Sequence, residues 1–174
     1  MVSAASTSQV TFSSLTENNL GTVRKLNSVL FPIRYSEKFY QDILKPELDE
    51  FCKLVYYNDI PVGTICCRLE NKDQSDKPRL YLMTMGILAP YRSRELGSLA
   101  LKRVVEAGSK HHPRIGSIYL HVQVGNDDAK RFYERHGFKQ VSVHKDYYKK
   151  LTPADAWILE LPLDETGKGK RGTA

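Results

Sequence analysis

The stretch NDDAKRFYERHGF, residues 126–138, does most to decide the fold, because it predicts one short helix with both ends marked. Asn126 is a favoured N-cap residue, since its side-chain oxygen accepts a hydrogen bond from a backbone N–H of the first turn. Two aspartates follow in that turn, where the helix dipole stabilises negative charge. Gly137 is the residue type that stops a helix in the left-handed conformation.

Strands are predicted on both sides of this helix. In SIYLHVQV, residues 117–124, apolar residues alternate with Tyr119, His121 and Gln123. Alternation with a period of two is typical of a half-buried strand. After the helix, two further strands are predicted in FKQVSVHKDYYKK (138–150) and DAWILELPL (155–163).

A second informative stretch is LAPYRSRELGSLALKRV, residues 88–104, where the apolar strand RLYLMTMGILAP (79–90) is followed by a helix that is predicted to reach about Lys110. The N-terminus of a helix presents backbone N–H groups, and proteins bind phosphates there. The joint contains two arginines and Gly97, but Glu95 adds a negative charge. The stretch therefore indicates an anion site whose affinity depends on Glu95.

The N-terminal part predicts one strand, two helices and a hairpin. A helix over residues 16–31 is capped by Thr16 or Asn18 and broken at Pro32, and a shorter helix follows Ser36 as its N-cap. A hairpin turns at Asn58 and Asp59. The complete order, β, α, α, β, β, β, α, β, α, β, β, indicates an α/β protein with a mixed sheet.

Composition excludes several classes of protein. The chain has 174 residues, of which 41% are hydrophobic and 26% charged, and this balance is typical of a soluble globular protein. No apolar run is long enough to span a bilayer, so no membrane partner is expected. Three cysteines, two of them adjacent in a strand, argue against disulfides and against a shared metal site, so we expect no metal. A reducing compartment follows, namely the cytoplasm, with the nucleus as a further possibility.

The domain organisation is predicted in three parts. We expect a flexible N-terminus over residues 1–7, one domain over residues 8–163 and a basic disordered tail over residues 164–174. The net charge is +6, and three of the positive charges lie among glycines in this tail. Such a tail can contact RNA phosphates by releasing counterions, so direct nucleic-acid binding is a weak hypothesis.

The segment 126–138 fits the pattern N-x-x-A-x-x-x-Y-x-x-x-G-F, a common signature of the GNAT acetyltransferase superfamily. Within that superfamily, FPIRY, RLYLMTMG, IYLHVQ and YYKKLTPADAWIL resemble N-alpha-acetyltransferases of the NatE catalytic-subunit type. The resemblance implies a GNAT fold: a mixed, mostly antiparallel sheet, splayed at its central parallel strands and flanked by about four helices. It also implies transfer of acetyl from acetyl-CoA to the α-amino group of chains that start with Met followed by an apolar residue.

The resemblance assigns the chemistry to three side chains. An α-amino group has a pKa near 8, so a base must free its lone pair at neutral pH. Tyr81 and His121 are expected to act as the base pair through an ordered water, and an imidazole is well matched to that task. Tyr133 is expected near the CoA sulfur, where its phenol can protonate the departing thiolate. From spacing alone, His121 reads as a polar residue on the sheet face and Tyr133 as helix packing.

The resemblance also implies two binding surfaces. The residues expected to bind CoA are Met85, Gly86, Ile87, Arg92, Arg94, Glu95, Leu96, Gly97, Ser98, Asn126 and Tyr133. Those expected to bind the peptide are Phe31, Pro32, Ile33, Tyr35, Met83, Tyr147 and Tyr148. For the aromatic residues of both peptide segments, ordinary packing is the alternative. The expected partners are nascent-chain N-termini, other subunits of N-terminal acetyltransferases and the ribosome.

The family's CoA loop follows Arg/Gln-x-x-Gly-x-Gly/Ala, and the chain offers two registers for it. Starting at Arg92 places Glu95 at the first glycine and Gly97 at the second, whereas starting at Arg94 places Leu99 at the second. The first register is preferred, because Leu99 would obstruct a close approach to pyrophosphate. Glu95 is then expected to weaken CoA binding, about tenfold for each 1.4 kcal/mol. The alternative is a catalytically weak or inactive subunit that acts as a binding module in a larger acetyltransferase or ribosome complex.

Overall fold

The computed structural model describes residues 8–70 and 77–163, so the predictions for residues 1–7 and 164–174 lie outside the described part. Within the described ranges, four α-helices and two short 3₁₀ segments accompany seven strands. The strands are β1 Val10–Ser14, β2 Lys53–Tyr57, β3 Ile60–Glu70, β4 Arg79–Ile87, β5 Ser117–Gln123, β6 Lys139–His144 and β7 Ala156–Pro162. The helices are α1 Leu20–Leu30, α2 Glu37–Asp42, α3 Leu96–Lys110 and α4 Asp127–Arg135, with 3₁₀ turns at Pro46–Phe51 and Ala89–Tyr91.

The strands form one sheet in the order β1-β2-β3-β4-β5-β7-β6. Antiparallel pairing joins β1 to β2, β2 to β3, β5 to β7 and β6 to β7. Strands β4 and β5 are parallel, and their register covers only Arg79–Tyr81 against Ser117–Tyr119, although both strands continue. The predicted mixed, mostly antiparallel sheet with a central parallel pair is confirmed.

Two compact units divide the described residues. The first comprises residues 8–68 and 83–104, and the second comprises 69–70, 77–82 and 105–163. In the first unit the fully buried side chains include Phe51, Leu54 and Ile65. In the second they include Ile118, Phe138 and Leu159.

Local sequence signals explain several element boundaries. Ser36 accepts a hydrogen bond from the Phe39 amide at the start of α2, and Asn126 accepts one from the Ala129 amide at 3.3 Å at the start of α4. Gly137 follows α4 with φ +91°. These three predictions are confirmed, and each reflects the backbone groups that a helix leaves unpaired at its ends.

The hairpin between β2 and β3 is also confirmed. Tyr57 pairs with Ile60, so Asn58 and Asp59 form a two-residue loop. Their φ angles are +47° and +66°. Positive φ at both positions is the geometry of the hairpin turn that follows the twist of the strands, and Asn and Asp tolerate it better than most residues.

The predicted start of α1 is wrong. The helix begins at Leu20, so neither Thr16 nor Asn18 is its cap. The Asn19 side chain accepts a hydrogen bond from the Thr16 amide at 2.8 Å and donates one to the Ser14 carbonyl at 2.9 Å. Residues 16–19 therefore form a turn closed by Asn19, which leads from β1 into the helix.

The predicted extent of β6 is too long. The strand ends at His144, and Tyr147 and Tyr148 lie in the loop that follows. This loop has its own hydrogen bonds, from the Tyr148 amide to the Ala154 carbonyl at 2.8 Å and from the Asp146 amide to the Asp155 carboxylate at 2.9 Å. Asp146 has φ +52°, which turns the chain out of the sheet.

Residues 8–70 and 77–163 include no helix that combines the length and the apolar character needed to cross a membrane.

Candidate active site

The second unit brings the two expected base residues into contact. Tyr119 and His121 lie on the same face of β5, because strand residues two apart share a face. Tyr81 on β4 pairs with Tyr119 in the parallel register and so joins this face. Its hydroxyl oxygen lies 2.8 Å from Nδ1 of His121. Strand pairing therefore places a phenol and an imidazole in hydrogen-bonding contact.

Tyr147 completes this cluster from the loop after β6. Its hydroxyl lies 2.9 Å from the Tyr81 hydroxyl, and its ring stacks on His121 with centroids 3.9 Å apart and an interplanar angle of 4°. Tyr148 packs against Tyr147 at 4.8 Å, edge to face. Burial raises the pKa of the Tyr148 phenol to about 12, with a smaller contribution from Tyr147. Tyr148 is therefore neutral and can donate a hydrogen bond throughout the ordinary pH range.

A second layer supports the cluster, and sequence reasoning missed it. The Tyr119 ring lies 4.8 Å from the Tyr81 ring, and its hydroxyl donates to both carboxylate oxygens of Glu70 at 2.5 and 2.8 Å. The Arg79 guanidinium stacks on Tyr119 at 3.9 Å and pairs with Glu160 at 3.1 Å. The alternation in SIYLHVQV could have placed Tyr119 beside His121, but no local signal links Tyr119 to Glu70.

His144 is a further residue that sequence reasoning did not select. Its Nδ1 lies 3.4 Å from Nε2 of His121, and its ring centroid lies 5.0 Å from that of Tyr147. His121 pairs with Ile158 of β7, and His144 pairs with Ala156 of the same strand. The contact between the imidazoles therefore depends on the register of three strands, which the sequence alone does not give.

The first unit contains the predicted CoA loop at the start of α3. Glu95 has φ +61° and Ser93 has φ +62°, a region that glycine adopts readily and other residues rarely. The Glu95 carbonyl accepts the first helical hydrogen bond, from the Leu99 amide at 2.9 Å. The amides of Leu96, Gly97 and Ser98 then lie in the first turn, where helices leave N–H groups unpaired by the backbone.

Both arginines of this joint are anchored. Nε of Arg92 donates to the Ile87 carbonyl at 2.9 Å, at the end of β4. The Arg94 guanidinium lies 5.1 Å from the Tyr57 ring centroid, in a cation–π arrangement. Both side chains are exposed, so their positive charges remain at the surface of the joint beside Glu95.

Among the remaining candidates on β4, Gly86 lies against Phe31 of the FPIRY segment. Met83 and Met85 are half-buried. A Cβ added to Gly86 would lie 3.0 Å from Cζ of Phe31, so the absence of a side chain at Gly86 allows the Phe31 ring to approach the strand.

The FPIRY segment borders a cleft of about 590 Å³ in the first unit. Tyr35 stacks on Phe39 at 4.5 Å and meets Phe31 edge to face at 6.1 Å. Arg24 forms two hydrogen bonds to the Glu37 carboxylate, at 2.7 and 2.8 Å. The residues lining the cleft include Phe31, Pro32, Ile33, Tyr35, Arg24 and Asn27. Four of these six are predicted peptide residues, whereas Arg24 and Asn27 were not selected from the sequence.

The two candidates on α4 have different environments. Asn126 caps the helix. Tyr133 is buried, with 8% of its surface exposed, and its ring meets Phe138 at 5.6 Å and Phe132 at 5.2 Å. The helix-packing interpretation of Tyr133 therefore has a structural basis, and its contact with the CoA sulfur stays a prediction.

Metal ligands are not clustered in the described ranges, where no group of three or more His, Cys, Asp or Glu side chains could hold an ion. The chemistry that the second unit can perform is proton transfer, because an imidazole, two phenols and a second imidazole are joined by hydrogen bonds. The helix N-terminus in the first unit can bind an anion through backbone amides.

Comparison with known proteins identifies the class of enzyme. The model of the acetyltransferase (GNAT) family matches residues 20–138. The chain belongs to this family. The predicted fold and the predicted acetyltransferase class are thereby confirmed.

Individual relatives narrow the comparison. "Probable N-acetyltransferase san" of Drosophila melanogaster is 41% identical over 159 residues, which cover 91% of this chain and 84% of the relative. "N-alpha-acetyltransferase 50" of Danio rerio is 42% identical over 149 residues, or 86% of each chain. Among solved structures, Arabidopsis thaliana Naa50 in complex with the bisubstrate analogue CoA-Ac-MVNAL is 42% identical, with a TM-score of 0.80, and the match covers 87% of this chain and 97% of that one. These comparisons support an N-alpha-acetyltransferase that uses acetyl-CoA.

Proposed function

We propose that this protein transfers acetyl from acetyl-CoA to the α-amino group of peptides that begin with Met followed by an apolar residue. The Tyr81–His121 hydrogen bond carries the proposal. It joins an imidazole, which can act as a general base, to the Tyr81 phenol, and the Tyr147 hydroxyl contacts that phenol in turn. The relatives named N-acetyltransferase and N-alpha-acetyltransferase 50 support the same reaction class.

The residues of the second unit have distinct roles in this reaction. Acetyl-CoA supplies the activated acetyl group. His121, with Tyr81, accepts a proton from the α-ammonium group through one water, so that the amine lone pair becomes available to form the new C–N bond. As the C–S bond breaks, Tyr133 would donate a proton to the sulfur, and the second proton of the amine nitrogen, released as the amide forms, would return through water to the Tyr133 phenolate. Tyr147 holds the Tyr81 hydroxyl and covers the His121 ring.

The N-terminus of α3 is proposed to bind the CoA pyrophosphate. Amides of the first turn and the charges of Arg92 and Arg94 favour an anion there. The positive φ of Glu95 supports the register in which this residue replaces the first glycine of the loop. Met85, Gly86 and Ile87 precede the joint on β4 and are proposed to contact the remainder of CoA, together with Asn126.

Specificity for the first two residues of the peptide is proposed to come from apolar and aromatic side chains. Phe31, Pro32 and Ile33 border the cleft of the first unit and offer a surface suited to a Met side chain. The bisubstrate analogue bound by Arabidopsis Naa50 carries Met followed by Val, and this supports the proposal. Tyr35, Met83, Tyr147 and Tyr148 are proposed to contact the peptide backbone and its second residue.

Cysteine usage supports a proposal about where the protein acts. All three cysteines are free and buried, and free thiols are usual in reducing compartments, so we propose the cytoplasm as the site of action, with the nucleus as a second location. The proposed partners are nascent chains, other N-terminal acetyltransferase subunits and the ribosome.

The experiment combines acetyl-CoA binding with turnover. Calorimetry measures the Kd for acetyl-CoA, and mass spectrometry follows acetylation of a Met-Leu peptide that also contains an internal lysine. We expect one acetyl group, located on the N-terminus. A matched peptide with Ser in place of Met should react at least tenfold more slowly in kcat/KM.

Variants of the base pair test the mechanism. His121→Ala and Tyr81→Phe should each lower kcat by about 10² or more, since a general base contributes about 10² to 10⁴. His112→Ala is the control, because His112 is an exposed histidine outside the cluster. If His121→Ala keeps kcat/KM within a few-fold of the native value, the assigned base is wrong. Undetectable acetyl-CoA binding would favour the non-catalytic binding module instead.

A further inference from the structure

The Tyr81–His121–Tyr147 cluster has an additional member that the proposed reaction does not use. His144 is exposed at the end of β6, whereas His121 is half-buried on β5. Nδ1 of His144 lies 3.4 Å from Nε2 of His121, and the ring centroids are 5.5 Å apart. Both nitrogens of the His121 ring therefore have a partner, because Nδ1 is 2.8 Å from the Tyr81 hydroxyl.

We propose that His144 is a positioning residue for His121, which fixes the tautomer of that ring and shares the proton that the ring accepts. The proposal rests on the proposed function, in which His121 is the base. A neutral imidazole carries one proton on two nitrogens, so the partner of Nε2 determines what Nδ1 presents to Tyr81. An Nε2–H that donates to His144 leaves the Nδ1 lone pair facing the Tyr81 hydroxyl.

Proton sharing follows from the same contact. When His121 becomes an imidazolium, its Nε2–H can donate to the Nδ1 lone pair of His144 at 3.4 Å, and this hydrogen bond stabilises the charged ring. Because His144 is exposed, a proton that passes to it can leave to solvent.

The surroundings of His144 support a specific contact. Among residues 8–70 and 77–163, the titratable side chains in contact with its ring are His121 of β5 and Tyr147 of the following loop. Strand β7 lies between β5 and β6 and contributes uncharged residues to this face, Ala156 opposite His144 and Ile158 opposite His121. The next charged groups along the chain are Lys145, Asp146 and Asp155, and the Asp155 carboxylate accepts the Asp146 amide at 2.9 Å.

Two substitutions of His144 distinguish the effect of its hydrogen bond to His121 from the effect of its ring packing against Tyr147. His144→Phe keeps an aromatic ring against Tyr147 but removes Nδ1. His144→Asn carries an amide where Nδ1 lies, so it can still accept a hydrogen bond from His121. The matched control is His112→Phe, an exposed histidine in the same unit.

The first readout does not need turnover. Long-range ¹H–¹⁵N NMR spectra report the tautomer and the titration midpoint of each imidazole. In the native protein we expect His121 to be the Nε2–H tautomer. His144→Phe should lower the His121 midpoint by about half a pH unit or more, because the acceptor of the charged form is lost. His144→Asn should retain the native midpoint within about 0.3 units, and His112→Phe should leave it unchanged.

The second readout is kinetic. His144→Phe should lower kcat about tenfold, a fraction of the 10² to 10⁴ that a general base supplies, with KM for the peptide within about twofold. His144→Asn should restore most of kcat. A native His121 midpoint and tautomer in His144→Phe overturn the proposal, as does an equal loss of kcat in the Phe and Asn variants. His144→Phe could shift the His121 midpoint as expected while His121→Ala retains activity. The contact between His121 and His144 would then be supported, and the assignment of His121 as the catalytic base would be wrong.

Discussion

Glu95 shows how one residue combines two unfavourable features at the predicted CoA site. Its φ of +61° is one that glycine adopts at no steric cost, and its carboxylate adds negative charge to a helix N-terminus. Two like charges at 4 Å interact by about 1 kcal/mol in water and about 4 kcal/mol at an effective dielectric constant of 20. The positive charges of Arg92 and Arg94 lie in the same joint and oppose this repulsion.

Removal of the Glu95 charge should strengthen CoA binding. Glu95→Gln and Glu95→Gly should each lower the Kd for acetyl-CoA about tenfold, which corresponds to about 1.4 kcal/mol. Isothermal titration calorimetry measures the effect. Glu95→Gly should also raise the free energy of unfolding slightly, since relief of a positive φ is partly offset by the entropy of glycine.

Ser93→Gly is the matched control for the backbone. Ser93 has φ +62°, so the substitution relieves a similar strain without a change of charge, and we expect a Kd within twofold of the native value. An unchanged Kd in Glu95→Gln would mean that the carboxylate does not approach the pyrophosphate. The register that places Glu95 at the first glycine of the CoA loop would then no longer predict weakened CoA binding.

At the scale of elements, the contact between β3 and β4 depends on Gly63. A Cβ added to Gly63 would lie 2.5 Å from the Gly86 carbonyl oxygen and 2.5 Å from Cδ1 of Ile87. The backbone oxygen cannot move aside without disturbing β4, the strand that leads into the predicted CoA loop. Gly63 is therefore required for the close packing of these strands.

Gly63→Ala should destabilise the protein by about 1 to 3 kcal/mol, the usual cost of overpacking. Chemical denaturation followed by circular dichroism measures the change. Gly21→Ala in α1 is the control, because nothing lies within 4 Å of the added Cβ, and there alanine should stabilise by about 0.5 to 1 kcal/mol. Equal stability of the two variants would show that β3 and β4 can move apart.

The elements differ in how well the sequence predicts them. Local signals are sufficient at Ser36, Asn58 and Gly137. Ser36 accepts the Phe39 amide within its own turn, and Asn58 and Gly137 are residue types that tolerate the positive φ of their turns. The start of α1 was mispredicted, since several capping residues lie in a row and tertiary context selects Asn19 to close the turn. The sequence predicts a longer β6 than the structure has, because the aromatic residues after His144 favour a strand. The hydrogen bonds that the Asp146 and Tyr148 amides form within the following loop end the strand.

The same distinction applies to the candidate site. Resemblance to a family indicated Tyr81 and His121, and alternation places His121 on the polar face of β5. His144 and Glu70 lie 23 and 49 positions from their partners along the chain, so only the assembled sheet brings them to His121 and Tyr119. Long-range pairing of this kind leaves no local pattern in the sequence.

At the scale of the whole molecule, all three cysteines are buried and free. A hydrogen bond with Cys66, followed by burial, holds the pKa of the Cys52 thiol well above its ordinary value, and burial does the same for Cys67. A thiol with a raised pKa stays protonated at pH 8, and only the thiolate is an effective nucleophile. The cysteines therefore act as apolar core residues.

Ellman's reagent should fail to label the native protein at pH 8 over an hour. Unfolding in guanidinium chloride should release three reactive thiols, one for each cysteine in the chain. The absorbance of the released thiolate measures both states. Rapid labelling of one native thiol would show that part of the core opens on that timescale.

Buried thiols also make the native chain suitable for site-directed spectroscopy. A cysteine introduced at an exposed position, such as Lys25 in the first unit or Ser142 in the second, would be the reactive thiol to which a fluorophore couples. A donor and an acceptor at these two positions would report the distance between the units in solution, with and without acetyl-CoA. The native cysteines need no replacement for that measurement.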